Sequence, residues 1–123
     1  MPVSTETKDQ LKKALTRTDE IDITVKGRKS GRPITNTVWF VLEGETLYLL
    51  PVKGSESQWF KNLLQHPSIK ISAGGIEVEL KATAITDPKI VSSVVEKFRE
   101  KYGPGQVKKY YSNFDAAVVV NLE

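Results

Sequence analysis

The chain has 123 residues, 39% of them hydrophobic, enough to bury one core and too few for two ordinary domains. Eighteen Lys and Arg against fifteen Asp and Glu leave a formal charge of +3, which suits an anionic ligand and falls short of a dedicated nucleic-acid binder. There is no cysteine, so disulfides, thiolate nucleophiles and cysteine metal sites are excluded, and there is no run of about 18 apolar residues to cross a bilayer as a helix.

Residues 1–17 open polar and then set Leu11, Ala14 and Leu15 at helical spacing among lysines, predicting a short amphipathic helix on the outside of the domain. The same segment lacks the apolar stretch and small-residue cleavage site of a secretory signal, so a soluble, cytoplasmic protein is expected. From residue 21 the period changes to two: Ile21, Ile23 and Val25 alternate with Asp22, Thr24 and Lys26 until Gly27. The loop Gly27-Arg28-Lys29-Ser30-Gly31-Arg32-Pro33 leads into residues 34–42, where Ile34, Asn36, Val38, Phe40 and Leu42 oppose Thr35, Thr37, Trp39 and Val41. Glu43-Gly44-Glu45 turns this strand into residues 46–50 and completes a hairpin.

Pro51 ends the second arm. Gly54-Ser55 introduces a helix with Ser55 and Gln58 at capping-box spacing and an apolar stripe of Trp59, Phe60, Leu63 and Leu64, which Pro67 closes. Residues 69–73, the turn Gly74-Gly75 and residues 76–85 form a second hairpin. Its longer arm places Ile76, Val78, Leu80, Ala82 and Ala84 inward and Glu77, Glu79, Lys81 and Thr83 outward, so the outer face meets solvent. Asp87-Pro88 starts a helix carrying Ile90, Val91, Val94, Val95 and Phe98, and Gly103-Pro104-Gly105 stops it. Residues 116–122 read as a last, largely buried strand. Six short strands joined mainly as hairpins, with about three peripheral helices, predict a single α+β domain over 1–123 built on an antiparallel barrel rather than βαβ repeats.

Two segments invite an anion. Lys26, Arg28, Lys29 and Arg32 set four cations in seven residues beside two glycines that allow close backbone approach, with forked donors from arginine and point charges from lysine. The same composition also describes a solvated hairpin loop. Neither a P-loop nor a dinucleotide fingerprint fits the glycine spacing; Gly103-Pro104-Gly105 follows a helix and has Lys108 where a third glycine belongs. At Lys53-Gly54-Ser55 a strand gives way to a helix, whose free amides suit a phosphate or carboxylate, though Glu56 opposes this and a capping box explains Ser55 and Gln58 equally well.

Trp39 and Trp59 either flank a planar ring or fill the core, and Tyr110 and Tyr111 either point hydroxyls toward a barrel mouth or cover a barrel end. His66, before Pro67, has no second histidine and no carboxylates at ligand spacing, so no metal is assigned, and no nucleophilic triad or hydrolase chemistry is supported.

Taken together, Ile23-Thr24-Val25-Lys26-Gly27-Arg28-Lys29-Ser30-Gly31 and Gln58-Trp59-Phe60-Lys61-Asn62-Leu63-Leu64-Gln65-His66-Pro67, in this order and separation, resemble the deazaflavin-dependent nitroreductase and quinone reductase family. That family belongs to the split-barrel flavoproteins related to pyridoxamine 5'-phosphate oxidase. The likeness spans about residues 20–123 and leaves the helix of residues 1–18 outside. It implies a split β-barrel of the FMN-binding type that transfers a hydride from reduced coenzyme F-420 (8-hydroxy-5-deazaflavin) to a small electron-poor acceptor, such as a quinone, nitroaromatic or conjugated enone. FMN is the alternative coenzyme.

By position, the resemblance assigns Arg28, Lys29 and Ser30, with Arg32, to the coenzyme's phosphate and acidic tail. It assigns Thr37, Val38, Pro51, Val52, Lys53, Gly54, Gln58, Trp59, Lys61 and Asn62 to coenzyme binding as well, with residues 51–62 bordering the ring. Trp39, Tyr110 and Tyr111 would line the acceptor pocket. Ile34 and Lys61 stand where the family often carries arginine and histidine, and the stretch before Trp59 is shorter than usual. No catalytic side chain is expected, because hydride transfer from carbon needs orientation more than a protein nucleophile. A homodimer is implied, with the partner completing the coenzyme pocket. The same barrel also admits a non-catalytic flavin, haem or lipid-like ligand protein. Nucleic acid is not an expected partner, since the basic residues crowd one loop instead of interleaving with aromatics along a groove.

Overall fold

In the computed structural model, residues 5–122 are described; residues 1–4 and 123, which belong to the predicted domain and in part to its first helix, lie outside them. Six strands, β1 (Glu20–Lys26), β2 (Pro33–Glu43), β3 (Thr46–Leu49), β4 (Ser68–Ala73), β5 (Ile76–Ile85) and β6 (Ala117–Asn121), close a barrel in the order β1-β2-β3-β6-β5-β4. Every neighbouring pair is antiparallel. The helices are α1 (Thr5–Leu15), α2 (Gln58–Gln65), α3 (Pro88–Tyr102) and α4 (Pro104–Tyr110). The predicted α+β class and the antiparallel split-barrel architecture hold, with one helix more than expected.

Strand alternation fills the barrel. Ile21, Ile23 and Val25 of β1, Ile69 and Ile71 of β4, Val78 and Ala82 of β5, and Val118 and Val120 of β6 are buried in one interior cluster. Leu11 and Leu15 of α1 join this cluster beside the β4–β5 turn, where Gly74 lies against Ala14. Trp59, Phe60 and Leu63 of α2 join it beside the start of β4. The barrel is therefore stoppered by a helix near each end, and the stopper α2 is also the element next to the predicted functional loop.

A second cluster lies outside the barrel, where Val91, Val94, Val95 and Phe98 of α3 cover Val41, Leu50 and Ala117. This explains why β2 has no clean two-faced pattern: Phe40 faces the interior core, and its neighbour Val41 is buried under α3. Asp87 Oδ1 accepts from the Lys89 N–H at 2.9 Å and caps α3, and Pro88 occupies its first turn.

Two expectations are corrected. Gly103-Pro104-Gly105 ends α3, but Pro104 at once starts α4, because its fixed φ suits a first helical turn and Val107 anchors that turn in the outer cluster. The Ser55–Gln58 capping box does not form. A single 3-10 turn, Gly54–Glu56, precedes α2, whose N-cap is Ser57, and the Ser57 hydroxyl accepts from the Lys53 N–H at 2.9 Å.

Candidate functional site

The β1–β2 loop is closed on itself by backbone bonds. The Gly27 N–H donates to Arg32 O at 2.8 Å and the Gly31 N–H to Gly27 O at 2.9 Å, with Gly31 at φ 72°, a conformation costly for any side chain. The Ser30 hydroxyl accepts from the Arg32 N–H at 3.2 Å. This compact turn leaves Lys29, Ser30 and Arg32 exposed, and neither the Lys29 nor the Arg32 side chain has a hydrogen-bond or ion-pair partner among the described residues.

Arg28 behaves differently. Its backbone N–H donates to Asn62 Oδ1 at 3.1 Å, its Nη1 to the same oxygen at 2.8 Å, and its Nη2 to Gln58 Oε1 at 2.8 Å. Asn62 is 3% exposed, so its amide sits in the barrel end satisfied by a cation. The loop and helix motifs picked out in the sequence are thus one clasp. Arg28, expected at the coenzyme's phosphate and acidic tail, has two side-chain donors committed to α2, and its remaining N–H groups are what it can offer outward.

The second candidate segment is already filled. Asp115 Oδ1 accepts from the Ser55 N–H at 2.7 Å, and Oδ2 accepts from the Ser55 hydroxyl at 2.6 Å. These two bonds hold the Asp115 carboxyl below its usual range. A carboxylate of the chain itself takes the Ser55 amide that Lys53-Gly54-Ser55 could have offered to a phosphate or carboxylate ligand. Gly54, at φ 58°, is required there, because a Cβ would collide with Asp115 Oδ1. Sequence reasoning missed Asp115, which lies 60 positions from Ser55.

The remaining predicted residues divide by burial. Val52, Lys53 and Gln58 are exposed, whereas Pro51, Gly54 and Trp59 are buried, Trp59 within the barrel core. Lys61 Nζ pairs with Glu56 at 3.1 Å. Thr37 donates to Asp22 Oδ1 at 2.6 Å on the outer face, and Val38 packs on the interior core.

Trp39, Tyr110 and Tyr111 do come together, but as packing: Trp39 stacks on Tyr102 at 4.2 Å and meets Tyr110 edge-on at 5.4 Å. Tyr111 is buried in the outer cluster, and burial pushes its hydroxyl up; Tyr110 is the one of the pair that reaches solvent. Tyr102, which sequence reasoning passed over, accepts from the Phe40 N–H at 3.1 Å and lies 2.8 Å from both Asp19 O and Phe40 O. Its burial raises its pKa to about 12.

A family described as "Uncharacterized protein conserved in bacteria (DUF2255)" matches residues 11–122. Among curated proteins none matches. Solved structures with the same fold include an F420-H2 dependent reductase, FDR-A, at TM-score 0.65 and 17% identity, covering 84% of this chain and 94% of that one. The haem storage protein HutZ from Vibrio cholerae matches at TM-score 0.68 and 15% identity, covering 94% of this chain and 89% of that one. A pyridoxamine 5'-phosphate oxidase-like protein from Listeria innocua matches at TM-score 0.67 and 16% identity, covering 92% and 90%. At these identities the shared property is the split barrel.

Proposed function

Since the chain belongs to the bacterial family DUF2255, we propose from the clasp and the fold that it is an oxidoreductase binding a flavin-type coenzyme, first of all reduced F-420, and passing a hydride to a small electron-poor acceptor. The observation that carries this reading is the Arg28–Asn62–Gln58 clasp, which brings the two segments resembling a deazaflavin site into contact with each other. The fold shared with FDR-A supports the same coenzyme class.

The residues fit such a group at the loop and not at the 3-10 turn. Lys29 and Arg32 present two exposed cations without a side-chain partner among the described residues, and Arg28 keeps further N–H donors, a set suited to a phosphate and an acidic tail. Ser55, held by Asp115, takes no part in phosphate binding in this proposal. Val52, Lys53, Gln58 and Tyr110 are the exposed residues that would border the ring and the acceptor, with Trp59, Tyr111 and Trp39 supporting them from the packed interior. When bound, a reduced deazaflavin supplies a hydride, and the acceptor gains its second hydrogen as a proton from water. The chain's own task is to hold and orient, with no side chain acting as nucleophile.

FMN is the second reading, because the barrel superposes on the Listeria innocua pyridoxamine 5'-phosphate oxidase-like protein as closely as on FDR-A. Titration of the apoprotein with reduced F-420 and with FMN separates the two. Saturable F-420 binding followed by oxidation on adding a quinone is the expected result; stoichiometric FMN with no F-420 binding transfers the assignment to FMN. Binding of either without turnover leaves a ligand-holding protein. The homodimer belongs to the same proposal, and light scattering with coenzyme present tests it.

A further inference from the structure

Among the described residues, the α3 cluster covers Val41, Tyr48 and Ala117, on β2, β3 and β6, while the outer face of β1, β4 and β5 carries a groove of about 590 Å³. Register fixes its contents. Thr24 lies opposite Lys70, and Lys70 opposite Glu79. One row nearer the β1–β2 loop, Lys26 lies opposite Pro33 and Ser68 opposite Lys81. Because Val25 pairs with Ile69, Lys26 and Ser68 fall in that same row. Lys26 and Lys81 therefore flank Ser68 with two strand spacings between them, about 10 Å at the backbone.

The face carries a charge gradient along its strands. At the far end, Asp22 and Glu77 share the row of Ser72, and Glu77 holds Lys70 by an ion pair of 2.9 Å. In the middle, Glu79 accepts from the Ser68 hydroxyl at 2.9 Å. At the loop end, Lys26 and Lys81 are exposed and have no side-chain partner among the described residues. Their four-carbon stems let both ammonium groups swing onto one anion, while Pro33 and Pro67 offer it apolar edges. None of the residues from 51 to 62 lines this groove, so it is separate from the ring side of the coenzyme site.

We propose that the loop end of this groove is a second binding site, taking a small phosphate-bearing anion between Lys26 and Lys81, with Glu79 as the charge that limits its affinity. Gly31 and Pro33 of the β1–β2 loop line it, so it borders the tail side of the proposed coenzyme site, but its cations, Lys26 and Lys81, are not those assigned to the tail.

Amide NMR titrations of the whole protein at constant ionic strength, with inorganic phosphate, glucose 6-phosphate and uncharged glucose, test it. Saturable shifts at Thr24, Lys26, Ser68 and Lys81 with both phosphates and none with glucose are expected. Tighter binding of glucose 6-phosphate identifies an organic phosphate seated on the prolines, and equal binding identifies the phosphoryl group alone. Lys81→Ala and Lys26→Ala should each weaken binding about tenfold, one charge-assisted bond, and Lys81→Arg should restore it. Glu79→Gln keeps the acceptor for Ser68 and should tighten binding about threefold by removing a like charge. Shifts that do not saturate, or that ignore both Lys81→Ala and Glu79→Gln, overturn the proposal.

Discussion

Asn62 Oδ1 accepts twice from Arg28, 3.1 Å from its backbone N–H and 2.8 Å from its Nη1, so a buried amide of α2 fixes the direction of the β1–β2 loop. Asn62→Ala leaves both donors without their acceptor at a nearly closed barrel end. The expected cost is about 1–3 kcal/mol, seen as a lower urea midpoint with an unchanged slope. Asn62→Asp keeps the acceptor and adds attraction for Arg28, so it should retain more stability than the alanine variant. Equal losses for the two substitutions would show that side-chain volume, and not the clasp, is what Asn62 contributes.

The Ser55–Asp115 contact gives a second prediction. Gly54→Ala meets both a left-handed φ of 58° and the Asp115 carboxylate, and the conformational part alone costs about 1–2 kcal/mol. Adding Asp115→Ala removes the tightest contact and leaves the one with Asn113 Cγ at 2.9 Å, so the double variant should lose less than the sum of the two singles in thermal melts. The pH dependence has a definite sign. The folded pKa of Asp115 lies below its unfolded value because Ser55 donates to it, so its contribution is present above about pH 4 and fades as pH falls through the folded value. Asp115→Asn should flatten the acid limb of the stability profile.

Tyr102 supplies the alkaline counterpart. Its folded pKa of about 12 lies above the unfolded value of 10.0, so its contribution is complete below the unfolded pKa and is lost as pH rises through about 12. Tyr102→Phe leaves the Phe40 N–H without its acceptor, 3.1 Å away in the wild type, at a cost of about 1–3 kcal/mol near neutrality. The stability gap between wild type and variant should hold steady from neutrality to about pH 10 and narrow beyond it. A gap that widened with alkalinity would reverse the sign assigned to Tyr102.

What the sequence made legible follows from how many faces of each element are covered. In β1 and β5 one face enters the barrel and the other stays in solvent, so a period of two showed both strands and their inward residues. The alternation read in residues 34–42 also held, with Val38, Phe40 and Leu42 on the interior core and Trp39 and Val41 on the outer face, but it could not show that α3 buries Val41 from outside. α4 was hidden because Gly103-Pro104-Gly105 carries stop signals, and one buried valine, Val107, was too little periodicity to overrule them. At the site, each motif was visible alone, but the bonds from Arg28 to Asn62 and Gln58 span 34 and 30 positions and depend on closure of the barrel. The Asp115–Ser55 contact and the Lys26–Lys81 row are products of chain topology and strand register, which local pattern does not encode.

The last prediction separates the two neighbouring cations that the sequence had treated alike. Arg28→Ala removes the bonds to Asn62 Oδ1 and Gln58 Oε1, so it should lower the melting temperature as well as coenzyme affinity. Lys29 is exposed and bonded to no described residue, so Lys29→Ala should leave stability within about 0.5 kcal/mol of wild type. If Lys29 holds the coenzyme's tail, its loss removes one charge-assisted bond worth about 1.5–3 kcal/mol and raises the dissociation constant roughly ten- to a hundredfold. Added salt should imitate the substitution, because the lost term is electrostatic and solvent-facing. At saturating coenzyme the hydride-transfer rate should stay near wild type for Lys29→Ala, since binding shared by ground and transition states cancels from the saturated rate. Thermal melts, coenzyme titration and stopped-flow turnover on the two variants measure these three quantities. A Lys29→Ala affinity change below about fivefold would reduce the loop to a solvated surface, since exposed pairs contribute only about 0–1 kcal/mol. A lost rate with intact affinity would instead put Lys29 beside the reacting ring and reverse the proposed orientation of the coenzyme.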